Sequence, residues 1–121
     1  MNIAIVGATG NVGRKTLEVI EKKNFKFDNL YLVASPKSAG KKISFKNKDY
    51  LVENLETYDF SKANITFFAA GGKISEKYAE KAAEHTTVID NSSFFRMDPD
   101  VPLIVPQVNG SEVKKMKKNI I

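Results

Sequence analysis

The sequence contains no cysteine. A disulfide framework, a thiol redox pair and a Cys-ligated metal site are therefore excluded within these 121 residues. His85 is the only histidine, and it falls at a predicted helix end, where a cation complements the helix dipole. No nucleophile–base pair stands out among the remaining residues. We therefore predict neither a catalytic residue nor a metal site in this chain.

Long apolar runs are also absent. No stretch approaches the roughly 20 residues that span a bilayer, and the N-terminus lacks the basic segment of a signal peptide. We therefore expect a cytoplasmic protein without membrane contact. The net charge of +5 comes mostly from scattered lysines, which cluster only at residues 114–118. That cluster indicates the solvated face of a short helix, and we expect no nucleic-acid partner.

Predicted strands and helices alternate along the chain. This pattern favours an α/β fold with a Rossmann-like, doubly wound, mostly parallel sheet and helices on both faces. Strands are predicted at 2–6, 30–34, 65–70 and 87–90, a hairpin at 43–45 and 50–52 around a turn at 47–48, and an extended segment near an edge at 103–105. Helices are predicted at 11–23, 75–84 and 111–118. Residues 119–121 resemble the start of one more strand, and a chain that stops there is expected to be a fragment of a longer protein.

A glycine loop joins the first strand to the first helix. Gly7, Gly10 and Gly13 are spaced as G-x-x-G-x-x-G between a buried strand and an amphipathic helix. A pyrophosphate requires a tight turn, a backbone that it can approach and a helix N-terminus directed at it, and glycine without a Cβ atom permits the first two. The last glycine lets the helix pack close to the strand. The loop predicts a dinucleotide site, and the alternative is a glycine-rich turn without a ligand.

The turn after the second strand suggests which dinucleotide binds. NAD-binding domains usually place an acid there for the ribose hydroxyls. This sequence instead has Ser35, Lys37 and Ser38, whose hydroxyls and cation suit a 2′-phosphate that a carboxylate would repel. We therefore predict NADP as the cofactor. The alternative is a surface turn marked by Pro36 and Gly40.

Two further loops follow later strands. Gly71 and Gly72 end the third strand of the sheet, where small residues allow a cofactor to lie against the backbone. Arg96, one of two arginines in the chain, offers a planar fork that binds phosphate or carboxylate through two bonds. It is a candidate anion anchor. The alternative is a structural salt bridge to a nearby acid: Asp90, Asp98 or Asp100.

Five segments in this order resemble a known family. They are residues 7–13, 34–41, 70–72, 88–97 and 101–109. Together they are similar to the N-terminal NADP-binding domain of the aspartate-semialdehyde dehydrogenase family, over essentially the whole chain. That family reduces L-aspartyl 4-phosphate to L-aspartate 4-semialdehyde with phosphate release, on the route to lysine, threonine and methionine.

The resemblance implies a role for each matching position. Thr9, Gly10, Asn11, Val12 and Gly13 would cradle the pyrophosphate. The adenosine 2′-phosphate would lie against Ser35, Lys37 and Ser38. Gly71 and Gly72 would border the crevice that holds the cofactor. Asn91 would lie near the nicotinamide end, and Arg96 would bind the phosphoryl group of the acyl-phosphate substrate.

The chain departs from the family pattern in three ways. Lys37 stands where the family commonly has Arg, and Gln107 stands where Glu is usual. The family's catalytic Cys, its acid–base His and its catalytic and dimerisation domain follow later, so this chain is expected to be inactive and monomeric. The full-length protein is expected to be a homodimer or tetramer. Two alternatives stay open: a non-catalytic NADP-sensing module, and the related N-acetyl-glutamyl-phosphate reductase.

Overall fold

The computed structural model describes all of residues 1–121. Its centre is a five-stranded sheet in the order β5-β2-β1-β6-β7, with every neighbouring pair parallel. The strands of this sheet are β1 (Asn2–Val6), β2 (Asn29–Ala34), β5 (Glu53–Asn54), β6 (Ile65–Phe68) and β7 (Thr87–Asp90). A separate antiparallel hairpin is formed by β3 (Lys42–Phe45) and β4 (Lys48–Leu51). The helices are α1 (Asn11–Lys22), α2 (Gly72–Ala83) and α3 (Pro106–Asn109), with 3-10 turns at Phe60–Lys62 and Gly110–Lys115.

The central strand is buried on both faces, as a strand covered by helices on each side should be. Ile3 and Ile5 pack on the face that carries α1, together with Leu17 and Ile20 of that helix. The alternate residues of the strand pack on the face that carries α2. The prediction of a doubly wound parallel sheet with helices on both faces is therefore confirmed.

The hairpin packs on the α1 face of the sheet. Phe45 of β3 belongs to the same core cluster as Leu17, Ile20 and Leu32. The predicted hairpin is confirmed, but its turn lies one residue earlier than expected. Lys46 and Asn47 both have positive φ, at 50° and 64°, which is the geometry of a two-residue turn between twisted strands.

The direction in which successive strands are added to the sheet reverses between β1 and β6. From β1 the chain crosses through α1 to β2, whereas from β6 it crosses through α2 to β7 on the other side. Both helices therefore begin at the carboxyl edge of the sheet, next to each other. In open α/β sheets this switch point is where ligands bind.

The C-terminal part differs most from expectation. The predicted helix at 111–118 is wrong, because α3 begins at Pro106 and is followed by 3-10 geometry that ends at Lys115. The segment 103–105 joins no strand, and the Asn109 side chain holds it by accepting from Val105 N–H at 2.7 Å and donating to Leu103 O at 2.8 Å. The expected strand start is confirmed, since Ile120 forms a parallel bridge with Val88.

Smaller differences occur in the boundaries. β6 ends at Phe68, two residues before the prediction, because the chain turns away toward Gly71. α2 begins at Gly72, three residues earlier than predicted, and β5 was not predicted. No helix in the structure combines the length and apolar character that crossing a membrane requires.

Candidate functional site: a crevice at the carboxyl edge

Two of the three glycines in the first loop are required by protein packing. Gly7 has φ 88°, and a Cβ atom there would lie 2.7 Å from the backbone oxygen of Ala69 on the neighbouring strand. A Cβ atom at Gly13 would lie 2.1 Å from the backbone oxygen of Gly7. The last glycine therefore brings α1 against β1, as the sequence predicted.

Gly10 is different because its surroundings are open. A Cβ atom there would meet only the oxygen of Gly7, at 3.5 Å. Gly10 caps α1 without a side-chain hydrogen bond, and the first turn of the helix carries no acid. The N–H groups of Asn11, Val12 and Gly13 donate to no atom of the protein. This helix end therefore presents unpaired donors and a partial positive charge at an open surface.

A second helix end stands beside the first. Gly71 has φ 89° and caps α2, again without a side-chain bond or an acid in the first turn. The N–H groups of Gly72, Lys73 and Ile74 donate to no atom of the protein. Because β1 and β6 pair directly, both helix ends lie at the same edge of the sheet. The predicted positions Gly71 and Gly72 thus lie at the strand end next to the glycine loop.

A groove of about 940 Å³ runs from this edge along one flank of α1. At the crevice its walls include Asn11, Val12, Ala69 and Asn91, so three predicted residues from two separate loops line one cavity. Its other end reaches Phe25, far from the glycine loop, and most of its lining is apolar. The groove therefore has a polar end at the crevice and an apolar floor over β6 and β7.

Asp90 holds the loop that carries Asn91. Its carboxylate accepts from Ser75 Oγ at 2.8 Å, from Ser92 N–H at 2.8 Å and from Ser92 Oγ at 2.9 Å. Ser75 is completely buried in the first turn and a half of α2. The hydrogen bond between Ser75 and Asp90 was not predicted from the sequence. The signal was a serine on the same buried helix face as Ala79 and Ala82, because a buried hydroxyl needs a hydrogen-bond partner.

Arg96 lies on the same loop and is exposed. None of the three acids proposed as its salt-bridge partner contacts it: Asp90 binds the two serines, whereas Asp98 and Asp100 pair with Lys118 and Lys117. The structural alternative for Arg96 is therefore wrong. Its side chain borders a second, small cavity of about 30 Å³ that shares Asp90 and Ile121 with the groove, so Arg96 lies next to the groove but does not line it.

The turn after β2 lies on the other side of β1 from the groove. The N–H groups of Gly7 and Ala8 both donate to Val33 O, at 2.8 and 3.3 Å, which joins the glycine loop to the end of β2. Ser38 N–H donates to Ser35 O at 2.9 Å and closes the turn. The side chains of Ser35, Lys37 and Ser38 make no hydrogen bond or ion pair within the protein. These groups remain available to a ligand.

The most perturbed titratable groups lie outside the crevice. The hydrogen bond from Lys118 Nζ, at 2.9 Å, lowers the pKa of Asp98 and raises the pKa of Lys118. Hydrogen bonds from Ser61 lower the pKa of Asp59. Burial raises the pKa of the Tyr58 phenol, whose oxygen has no partner. These groups bear on stability rather than on ligand binding.

Comparison with known proteins gives a consistent result. The family model described as "Semialdehyde dehydrogenase, NAD binding domain" matches residues 2–116. The aspartate-semialdehyde dehydrogenase of Aquifex aeolicus is 52% identical over 118 residues, covering 96% of this chain and 35% of that protein. The enzyme of the same name from Rickettsia bellii is 47% identical over 122 residues, covering 99% of this chain and 36% of that protein.

Solved structures agree with these relatives. The crystal structure of aspartate semialdehyde dehydrogenase II from Vibrio cholerae, complexed with ASA, matches with a TM-score of 0.95 and 47% identity, covering 99% of this chain and 40% of that one. The chain spans about a third of the length of the curated relatives it matches. It belongs to the semialdehyde dehydrogenase family, and it corresponds to the NAD-binding domain of that family.

Proposed function

We propose that this chain is the NADP-holding domain of an enzyme that reduces L-aspartyl 4-phosphate to L-aspartate 4-semialdehyde with release of phosphate. The observation that carries the proposal is the carboxyl edge of the sheet, where the neighbouring strands β2, β1 and β6 end in an acid-free turn and in two glycine-capped helix ends without acids. The names of the relatives support the choice of reaction.

The glycine loop fits the pyrophosphate of such a cofactor. The positions where a Cβ atom would strike protein backbone, Gly7 and Gly13, shape the loop itself. Gly10 keeps its open side free, so a phosphate can approach the N–H groups of Asn11 and Val12 closely. When bound, the nicotinamide supplies the hydride for the reduction. Asn11 and Asn91, which line one cavity, would hold the nicotinamide half of the cofactor.

The choice of NADP over NAD rests on the turn at the end of β2. The exposed Lys37 ammonium and the two serine hydroxyls have no partner in the protein. A 2′-phosphate would accept hydrogen bonds there and pair its negative charge with Lys37, whereas the 2′-hydroxyl of NAD has no charge to pair. We therefore expect these three side chains to set the cofactor preference.

Arg96 and the Asn91 loop would serve the substrate. The Arg96 guanidinium is exposed and without an acid partner, as an anchor for a phosphoryl group should be. Reduction of an acyl phosphate through a thioester requires a thiolate, and none of the 121 residues is a cysteine. The nucleophile must then be provided by polypeptide other than these residues.

The lack of a thiol favours one other candidate function. A non-catalytic module that binds NADP would need the same crevice and no nucleophile. Both candidates predict NADP binding by this chain. Only the enzyme predicts that the full-length protein consumes NADPH when L-aspartyl 4-phosphate is supplied.

Calorimetric titration of the chain with NADP and NAD tests the cofactor assignment. We expect tighter binding of NADP, and we expect Lys37→Gln to reduce that preference by about tenfold, because one charge-assisted contact to phosphate is lost. Lys26→Gln is the matched control, since Lys26 is also exposed but precedes β2 at the opposite edge of the sheet. Equal affinity for the two dinucleotides would refute the assignment of NADP.

A further inference from the structure

The rotation of α1 about its axis places one cation on the flank of the helix away from the groove. Gly13, Leu17 and Ile20 are buried against the sheet. Val12, Thr16 and Val19 line the groove over β6 and β7. Consecutive helical residues differ by about 100° around the axis, so Val12 and Arg14 project to opposite sides of the row that begins at Gly13. Arg14 therefore projects away from the groove.

The flank to which Arg14 projects is the β2 side. β2 and β6 lie on opposite sides of β1, and the groove occupies the β6 side. The hairpin belongs to the same core cluster as Leu17 and Ile20, and its second strand contacts β2. Its base is joined to the turn after β2, because Gly40 N–H donates to Val52 O at 2.9 Å. Helical side chains also lean toward the helix N-terminus, which for Arg14 is the carboxyl edge of the sheet.

The glycine loop and the turn after β2 contain no acidic residue. Residues 7–16 and 35–48 contain no Asp or Glu, and the second range contains Lys37 and Lys41. Arg14 is exposed and makes no ion pair or hydrogen bond through its side chain. The acid one turn away, Glu18, pairs instead with Lys15 at 3.3 Å. The Arg14 guanidinium therefore makes no ion pair within the protein.

We propose that Arg14 is a specificity-determining residue that binds the adenosine 2′-phosphate together with Lys37. This inference rests on the proposed function, because it assumes that a dinucleotide lies across the glycine loop with its adenosine toward the end of β2. Lys37 is a point charge on a flexible stem, whereas the guanidinium offers two parallel N–H donors to one phosphate. Arg14 thus supplies, from α1, the pair of parallel N–H donors that the turn after β2 lacks.

Titration with two small nucleotides separates the 2′-phosphate from the rest of the cofactor. The probes are adenosine 2′,5′-bisphosphate and adenosine 5′-monophosphate, measured at about 0.15 M salt so that distant charges are screened. We expect Arg14→Gln to weaken the bisphosphate about tenfold and the monophosphate less than twofold. Arg14→Lys should fall between wild type and Arg14→Gln for the bisphosphate, because it keeps the charge and loses the fork.

Lys15→Gln is the matched control, since Lys15 is the next residue of the same helical turn but lines the groove. It should leave the ratio of the two affinities unchanged. The inference is overturned if Arg14→Gln weakens both nucleotides equally, or if it changes the ratio no more than Lys15→Gln does. If the wild-type chain binds neither nucleotide, or binds both equally, the proposed NADP site itself fails, and the assignment of Arg14 fails with it.

Discussion

Replacement of Gly13 by alanine tests how tightly α1 is held against β1. The added Cβ atom would lie 2.1 Å from Gly7 O and 2.8 Å from the Cα of Ala8. Both obstacles are backbone atoms, so relief requires a shift of the helix or the loop by about 1 Å rather than a rotamer change. Overpacking a core costs about 1–3 kcal/mol, and an obstruction by backbone belongs at the upper end of that range.

We therefore expect Gly13→Ala to lower the free energy of unfolding by about 3 kcal/mol, measured by chemical denaturation followed by circular dichroism. Gly10→Ala is the matched control in the same loop, since its Cβ atom meets nothing closer than 3.5 Å. It should change stability by less than about 1 kcal/mol, the cost of a poorer helix cap, and yet weaken NADP binding. A loss below about 1 kcal/mol in Gly13→Ala would refute the packing argument.

Three further substitutions test one hydrogen bond beside the crevice and two groups outside it. Ser75→Ala removes one of three bonds to Asp90 and should cost about 1.5 kcal/mol in denaturant unfolding, since the bond is to a charged group; an unchanged midpoint would contradict that role. Tyr58→Phe removes a buried, unpartnered hydroxyl and should stabilise the protein by about 1 kcal/mol. Because the pKa of Tyr58 is raised in the folded state, the free energy of unfolding of the wild type should also fall as the pH rises above 10. If Tyr58→Phe shows the same fall, ionisation of Tyr58 is not its cause. Lys118→Gln should return the pKa of Asp98 toward its ordinary value, observed by carboxyl NMR. Because the pKa of Asp98 is lowered in the folded protein, its ionised form stabilises the fold above about pH 4, and this contribution is lost as the pH falls. The free energy of unfolding of Lys118→Gln should therefore fall less steeply with acid than that of the wild type.

The sheet and the first helix were predictable because their signals are local. The strand at residues 2–6 is a short apolar run. In the glycine loop that follows it, Gly7 and Gly13 are needed because a Cβ atom at either position would strike backbone atoms. Parallel order followed from the alternation of strands and helices. Asn11 and Asn91, which line one cavity, were singled out by the family resemblance and not by strand geometry.

The remaining features depend on contacts that the sequence does not display. The C-terminal segment lacks a regular apolar period, and the Asn109 side chain fixes it through two bonds to backbone atoms. Asn119, at φ 59°, similarly ties the C-terminal residues to the chain after α2 by donating to Ala83 O and Thr86 O. Arg96 makes no ion pair with Asp98 or Asp100 because Lys118 and Lys117 pair with these two acids. Such side-chain pairings are decided by tertiary structure and not by local pattern.

Thermal unfolding of the chain with NADP, and with NAD as the control, tests the central claim most directly. A ligand that binds only the folded state stabilises it by mass action, by about 2.7 kcal/mol at one hundred times its dissociation constant. We predict that NADP raises the midpoint of thermal unfolding in a concentration-dependent manner, and that NAD at the same concentration raises it less. No shift with NADP at millimolar concentration, or a larger shift with NAD, would contradict the account.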